Sequence, residues 1–350
     1  MKIRDLEFFL VQMPQCESGG GQRSLLVRVG TASGLEGWGE STLRWRPDEL
    51  GERREAMLAI LAGRSIYDLE ELHSLDALAP APLRSAVEMA FWDLLGKSLR
   101  QPLCNLLGGY YRRRVPVSLG LTGCQVKTVV HVAREMADQG LHTQTIITSG
   151  NADEDIRNIG GIREMVGDLV EVRLDGQSSF DLETARDLCA GIEFEDVRFF
   201  IDPVKTTDVH ALARLARQTN VPLAARQAIQ CPTDVLNILR FSAAAYAVID
   251  LERVGGIIPA RQCAAVAAAG GLTPLLGGRN SIGIATAAML HVAAATASLA
   301  TANEIAPRDL AEGLLRKPFE ITDGMISVPE SPGLGVEIDR LRLEQYQPVM

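Results

Sequence analysis

The stretch VEVRLDGQSSFDLETARDLCAGIEFEDVRFFIDP, residues 170–203, contains one complete repeat of the chain's larger architecture. A short apolar run, VEVRLD (170–175), ends on a carboxylate and a glycine turn. An amphipathic segment, DLETARDLCAGI, follows, and a second apolar run, VRFFID (197–202), again ends on a carboxylate. Strand, helix and parallel strand over about 27 residues is the length of a βα unit. The same alternation extends on both sides, with runs at 115–121 (VPVSLGL), 142–148 (HTQTIIT), 221–225 (VPLAA), 247–251 (AVIDL), 272–276 (LTPLL) and, more weakly, 303–306 (NEIA). Eight such units predict an α/β fold with a closed (β/α) TIM-like barrel. The intervening helices open on Asp or on Pro-Thr-Asp, residues that suit an N-cap or an acidic first turn.

Ahead of the barrel pattern, IRDLEFFLVQ and SLLVRVGTASGLEGWGES read as antiparallel strands with glycine turns, followed by the helical stretches ERREAMLAILAG and SAVEMAFWDLLGKSL. The chain therefore divides into an α+β capping domain (1–112), a barrel domain (113–318) and a C-terminal tail (319–350).

Composition narrows the function. The chain has 350 residues, 47% hydrophobic, with a formal net charge of −9. An acidic protein has no electrostatic reason to bind a polyanion, so nucleic acid is excluded as a partner. The long apolar run from Ile282 to Ala302 is interrupted by His291 and by hydroxyl residues, which predicts a packed helix and no membrane span. Six scattered cysteines with no C-x-x-C spacing read as reduced thiols of a cytoplasmic protein. The N-terminus lacks the apolar segment of a signal peptide.

In barrels of this kind chemistry sits at the C-terminal ends of the strands. That ring holds Ile146 and Thr148, then Arg173, Asp175 and Gln177, then Asp202, Arg226 and Gln227, Asp250, and finally Gly277, Gly278 and Arg279. Three carboxylates in one mouth need a positive partner or a shared proton. Oxygen ligands from Asp175, Asp202 and Gln227 would suit Mg²⁺. Equally, the guanidinium of Arg226 or Arg173 could bridge the acids with no metal present. Arg226 could instead hold a substrate carboxylate.

Several long motifs in order, GLEGWGES (34–41), SAVEMAFWDLLGKSLRQPLCNLLGG (85–109), DLERVGG (250–256), SIGIATAAMLH (281–291) and ITDGMISVPESPGLGVEID (321–339), resemble the mandelate racemase and muconate lactonizing enzyme branches of the enolase superfamily over nearly the whole chain. The resemblance implies a capping domain over a barrel, with the tail returning to the cap. It also implies Mg²⁺ held by acids ending strands three, four and five, stabilising an enolate formed beside a carboxylate. The proton would be taken by a K-x-K pair on strand two, by a lysine on strand six, or by a histidine paired with an aspartate.

Residue by residue, Asp175 keeps the first ligand and Asp202 stands where a glutamate is usual. The third ligand falls on Gln227, with Arg226 beside it replacing an acid. Ile146 and Thr148 occupy the K-x-K positions, Asp250 the strand-six position, and the racemase-type histidine falls near Gly277. This is a degenerate active site.

The expected function is a divergent isomerase or lyase acting on a small carboxylate-bearing molecule. Asp250, Arg226 and Thr148 are its catalytic candidates, with Arg226, Gln177, Arg279 and Arg173 its substrate contacts. Metal binding, if any, is weak Mg²⁺ through Asp175, Asp202 and Gln227. The alternatives are a pseudoenzyme that binds a small anion or a protein partner, and a weakly Mg²⁺-dependent racemase or cycloisomerase. A homo-oligomer is expected from relatives. The glycine-rich ESGGGQ (17–22) reads as a lid or a plain turn, STLRWRPD (41–48) as a cationic and aromatic loop that could face an anion, and His291 as a satisfied core residue.

Overall fold

A computed structural model describes residues 1–13, 22–122, 126–205, 208–278, 281–305 and 313–347. Two of the expected features, Arg279 and most of ESGGGQ, lie outside the described residues. The chain opens with an antiparallel sheet of β1 (Ile3–Met13), β2 (Gln22–Thr31) and β3 (Glu36–Ser41). The helices α1 (Leu50–Leu61), α2 (Leu69–Leu72), α3 (Ala81–Leu99) and α4 (Leu103–Leu106) follow. In β3 the sequence EGWGES alternates glycine with larger residues because α3 lies directly on the sheet. A Cβ on Gly39 would fall 1.8 Å from the Ala86 carbonyl oxygen, and one on Gly37 would fall 2.1 Å from that of Ala90. Only glycine permits that approach.

Barrel strands and helices then alternate: β4 (Arg114–Thr122), α5 (Val126–Asp138), β5 (Thr143–Ile147), α6 (Ala152–Val166), β6 (Glu171–Asp175), α7 (Leu182–Gly191), β7 (Val197–Ile201), α8 (Val209–Ala216), β8 (Leu223–Ala225) and α9 (Pro232–Phe241). They continue with β9 (Tyr246–Asp250), α10 (Leu251–Val254), α11 (Ile257–Ala269), β10 (Thr273–Gly277), α12 (Ile284–Ala295) and β11 (Asn303–Ile305). From β4 to β10 each strand pairs in parallel with the next, and β11 pairs in parallel with β4. The weakest strand of the sequence pattern, NEI, is thus the eighth stave. Between β10 and β11 the Asn303 side chain supplies the link, its Oδ1 accepting from the Leu276 amide at 2.8 Å.

Pairing register and burial fix which side chains point inward. Phe199, Ile201, Ala224, Tyr246, Val248 and Leu275 form a small apolar cluster of their own inside the barrel, separate from the main core between strands and helices. Carried across the parallel pairs, the same face on β6 presents Arg173 and Asp175, and on β5 it presents Thr145 and Ile147. Ile146 belongs to the main core between strands and helices. The second-strand positions that face the mouth are therefore Thr145 and Ile147, one residue off the Ile146/Thr148 frame. The reason is the two-residue period of a strand, which sends a one-residue shift to the opposite face.

The helix starts follow the sequence signals. Asn151, Asp181 and Asp208 accept from the amides of Glu154, Thr184 and His210 as N-caps of α6, α7 and α8. The run from Ile282 becomes the buried helix α12, and among the described residues no helix is long and apolar enough to cross a membrane. Cys104, Cys189, Cys231 and Cys263 are free thiols. The tail forms a hairpin, β12 (Ile321–Thr322) and β13 (Met325–Ser327), whose second strand pairs antiparallel with β4. It ends in α13 (Arg340–Gln345). Along the way the tail reaches α3 and the first sheet, with the Leu334 amide donating to Asp93 and the Gln12 amide to the Tyr346 carbonyl.

Two carboxylates that the sequence reading did not single out fasten the first sheet and α3 to the barrel. Glu40 on β3 is buried and accepts from the amides of Ile282, Ile284 and Ala285 and from the Ser281 hydroxyl, so it caps α12 from another part of the chain. Glu88 on α3 does the same for α11 through the amides of Ile257 and Ile258. Each carboxylate satisfies amides that a helix start leaves open, and its charge is favoured at the positive helix end. His291 completes the junction. Its Nδ1 accepts from the Cys104 amide at 3.2 Å, so Nε2 carries the proton and donates to the Leu334 carbonyl. Burial pulls this imidazole down to about 4, and it is a neutral strut.

Glu40→Ala leaves those amides unpaired in a buried interface and is expected to cost about 3 kcal/mol of stability. Urea denaturation of the purified variant checks this, with Glu40→Gln losing less because the amide oxygen still accepts.

Candidate active site

The inward-facing residues at the C-terminal ends of the strands converge on one guanidinium. Arg226 leaves β8 pointing into the barrel with a side chain 11% exposed. Its Nη2 is 2.8 Å from Asp175 Oδ2 on β6 and 3.1 Å from Oδ1. Nε is 3.5 Å from Asp202 Oδ2 after β7, and Nη1 is 3.3 Å from Glu304 Oε2 on β11. Gly277, at the end of β10, makes room for this side chain, since a Cβ there would meet Val248, Glu304 and the Arg226 stem. Glu304 did not stand out in the sequence, because NEI is too short to show a period. The alternation of β11 is what turns its side chain inward.

Two of the three carboxylates are also held by backbone. Asp175 Oδ1 accepts from the Gln177 amide at 2.9 Å. Asp202 Oδ1 accepts from the Arg226 amide at 2.9 Å, and both its oxygens accept from the Gln227 amide. To reach them Asp202 takes a left-handed backbone, φ 42°, which aspartate tolerates better than most residues. Burial pushes the Asp202 carboxyl above the ordinary aspartate range, against the opposing pull of Arg226 and those amides.

Other expected contacts have different positions. Arg173 is completely buried below the mouth. It is bound to Glu171 through Nε and Nη2, donates to the Ala302 carbonyl at 2.7 Å, and lies over the Phe199 ring. A guanidinium so enclosed is an internal strut, and a substrate cannot reach it. Burial also pulls it below its ordinary value, with Glu171 acting in the opposite sense. Gln177 and Gln227 bind the acids through backbone amides, and Gln177 is exposed. Thr148 donates its amide to the Asp175 carbonyl, while its hydroxyl is buried with no hydrogen-bond partner among the described residues. In the 41–48 loop Trp45 packs edge-on against Phe8, under Arg53, and Arg46 pairs with Asp48 and Glu49. The Trp45 and Arg46 side chains serve their own sheet, while Arg44 is exposed and forms no ion pair among the described residues.

Asp250 ends β9, faces inward, and caps α10 through Oδ1, which accepts from the amides of Glu252 and Arg253. It lines a cavity of about 50 Å³ between barrel and first sheet, together with Glu40, Ser41, Thr42, Glu252 and Ser281. Burial pushes both Asp250 and Glu252 upward, and the Asp250 charge adds to the shift on Glu252.

Two family models match the chain, "Mandelate racemase / muconate lactonizing enzyme, N-terminal domain" over residues 11–108 and "Enolase C-terminal domain-like" over residues 128–342. The chain belongs to the mandelate racemase/muconate lactonizing enzyme family of the enolase superfamily. It is similar to muconate cycloisomerase 1 of Rhodococcus opacus, 30% identical over 91% of this chain and 89% of that one. It is also similar to the N-succinyl-L-Arg/Lys racemase of Bacillus cereus, at 24% over 99% and 98%. Among solved structures, a muconate cycloisomerase from Azorhizobium caulinodans matches with a TM-score of 0.86 and 26% identity, covering 100% of this chain and 99% of that one.

Enolase superfamily members use Mg²⁺, and the donors of this chain fit that ion poorly. A hard divalent cation needs several oxygens free to point at it. Here the convergence point of Asp175, Asp202 and Glu304 holds the Arg226 guanidinium, a like charge to any cation. Asp202 spends its oxygens on N–H groups, and Gln227 presents its amide nitrogen to Asp202. Among the described residues no group of three His, Cys, Asp or Glu side chains is arranged to hold a metal.

Removing the guanidinium while keeping the volume, as in Arg226→Met, leaves buried carboxylates uncompensated and is expected to destabilise the protein by about 3 to 5 kcal/mol at pH 7. The variant's carboxyls then have folded pKa values above their unfolded ones, so the native state binds more protons than the unfolded state. The deficit therefore shrinks as pH falls toward the ordinary aspartate value of 3.8 and grows as pH rises above it. Chemical denaturation at pH 4.5 and pH 7.5 measures the difference.

Proposed function

We propose that this protein is an isomerase or lyase of the superfamily that takes a small carboxylate-bearing molecule at the barrel mouth and does so without a bound divalent cation. The observation that carries the reading is the Arg226 guanidinium, 2.8 to 3.5 Å from carboxylates of β6 and β11 and the one that follows β7. It supplies from within the chain the positive charge that those acids require. Because its donors face inward on the three acids, Arg226 serves as the counter-ion, and the substrate's carboxylate needs a second cation.

Arg253, at the end of α10, suits that role. Its Nε is shut off from solvent with no hydrogen-bond acceptor among the described residues, and its charge acts on both Asp202 and Asp250 against their desolvation. A guanidinium with an open donor near the acids of the mouth suits a planar carboxylate. The names of the relatives, muconate cycloisomerase and N-succinyl-L-Arg/Lys racemase, support isomerase-type chemistry on acids of this kind.

A second reading, a binding protein without turnover, is favoured by one observation. The inward positions of the second strand, Thr145 and Ile147, carry no group able to take a proton.

Calorimetric titration with a panel of small mono- and dicarboxylates tests the proposal. Binding is expected to persist in EDTA, to be unchanged by added Mg²⁺, and to weaken about 10- to 100-fold in Arg253→Ala, the loss of one charge-assisted contact. Stoichiometric Mg²⁺ on the purified protein, or carboxylate binding that requires it, would overturn metal independence.

A further inference from the structure

The chain holds a second ionisable group beside Asp250 that no strand end revealed. Glu252 is two residues on, in α10, and its Oε1 is fixed by the Ser41 hydroxyl and by the Thr42 hydroxyl and amide. Asp250 is fixed in the same one-sided way, through Oδ1 alone. The remaining oxygens, Asp250 Oδ2 and Glu252 Oε2, carry no hydrogen bond among the described residues, and both side chains line the same cavity of about 50 Å³. That space is a few times the least that one water needs, room for a carbonyl group and the carbon beside it.

From this geometry we propose that Asp250 and Glu252 are an acid–base pair, and that the group they handle is the ketone or aldehyde carbonyl of a small oxo acid. The inference rests on the functional reading above. Two carboxyls open to one small buried cavity cannot both be ionised cheaply, so one keeps its proton. The third carboxyl of the cavity, Glu40, has both oxygens committed to helix amides and the Ser281 hydroxyl. Burial raises both carboxyls, but Arg253 and Arg226 oppose the rise at Asp250 while the Asp250 charge adds to it at Glu252, which favours the proton on Glu252. A carboxylate base beside a neutral carboxylic acid suits a carbon acid whose enolate bears one negative charge. A reacting carboxylate inside the cavity would give a doubly charged intermediate there, and the single Glu252 proton offsets only one of those charges. Hence the ketone.

The step balances with no co-reactant. Asp250 Oδ2 takes the proton from the carbon next to the carbonyl, the C–H pair becomes the C=C bond, and the Glu252 Oε2 proton moves onto the carbonyl oxygen. Reversal on another carbon or the other face returns the Asp250 proton to carbon and the oxygen's proton to Glu252.

Proton NMR in D₂O with the EDTA-treated full-length protein and 2-oxobutyrate, 2-oxoglutarate or 4-oxopentanoate as probes tests the pair. Enzyme-dependent loss of the signal next to the ketone is expected for at least one probe. Asp250→Asn should slow it at least 100-fold, and Glu252→Gln should lower kcat with KM little changed. Thermal melts confirm that both variants fold. Wild-type rates in Asp250→Asn, or no exchange by the wild type on any probe, would overturn the pair. If exchange is absent while calorimetry shows the same acids binding, only the pair falls; if nothing binds, the functional reading falls with it. Should either variant not fold, ¹³C carboxyl shifts of the wild type decide. One protonated carboxyl between Asp250 and Glu252 at pH 7 is expected, and two ionised ones would defeat the assignment.

Discussion

The arrangement at the barrel mouth depends on one buried cation meeting three buried anions. Carboxylates at the ends of parallel strands are driven together by the closure of the barrel, and burial penalises each of them unless a positive charge is within reach. Arg226 meets that requirement at 2.8 Å from Asp175, 3.5 Å from Asp202 and 3.3 Å from Glu304. An ion pair of this kind is costly to break from one side. It also holds β6, the turn after β7, β8 and β11 in mutual register where β10 and β11 are joined by a side chain.

The same economy of buried carboxylates builds the junction of the first sheet with the barrel. Glu40 and Glu88 act as N-caps for α12 and α11, although each lies about 170 residues or more away along the chain. Asp93 binds the tail amide of Leu334, the Trp38 amide and Lys97. Helix dipole, unpaired amides and an anion from a distant segment reinforce one another. The cavity beside Asp250 and Glu252 lies at this junction, so the chemistry available there depends on Ser41 and Thr42 of the first sheet as much as on the barrel.

The βα repeat was legible in the sequence because the strands are short apolar runs separated by helical stretches, four of them opening near an acid, and the eight runs coincide with β4 to β11. Asp175, Asp202, Arg226 and Asp250 were legible because they end those runs. Glu304, Glu252 and Arg253 were not. The first lies in a strand of three residues, and the other two follow a strand end within a helical turn, where any polar residue is ordinary. The facing of the second strand was misread by one residue, since TQTIITS offers no clean polar and apolar alternation from which to set the phase.

By itself, then, the sequence determined the order of elements, the family to which they belong and the presence of an arginine where an acid would be usual, all of which follow from local pattern. Which carboxylates that arginine binds, which face of β5 looks into the mouth, and that Asp250 has Glu252 for a neighbour were decided only by tertiary structure. The physical reason is that charge pairing depends on distances of a few ångströms between residues far apart in the chain, as in the pair of Arg226 with Glu304, 78 positions apart. Only barrel closure and strand register set those distances.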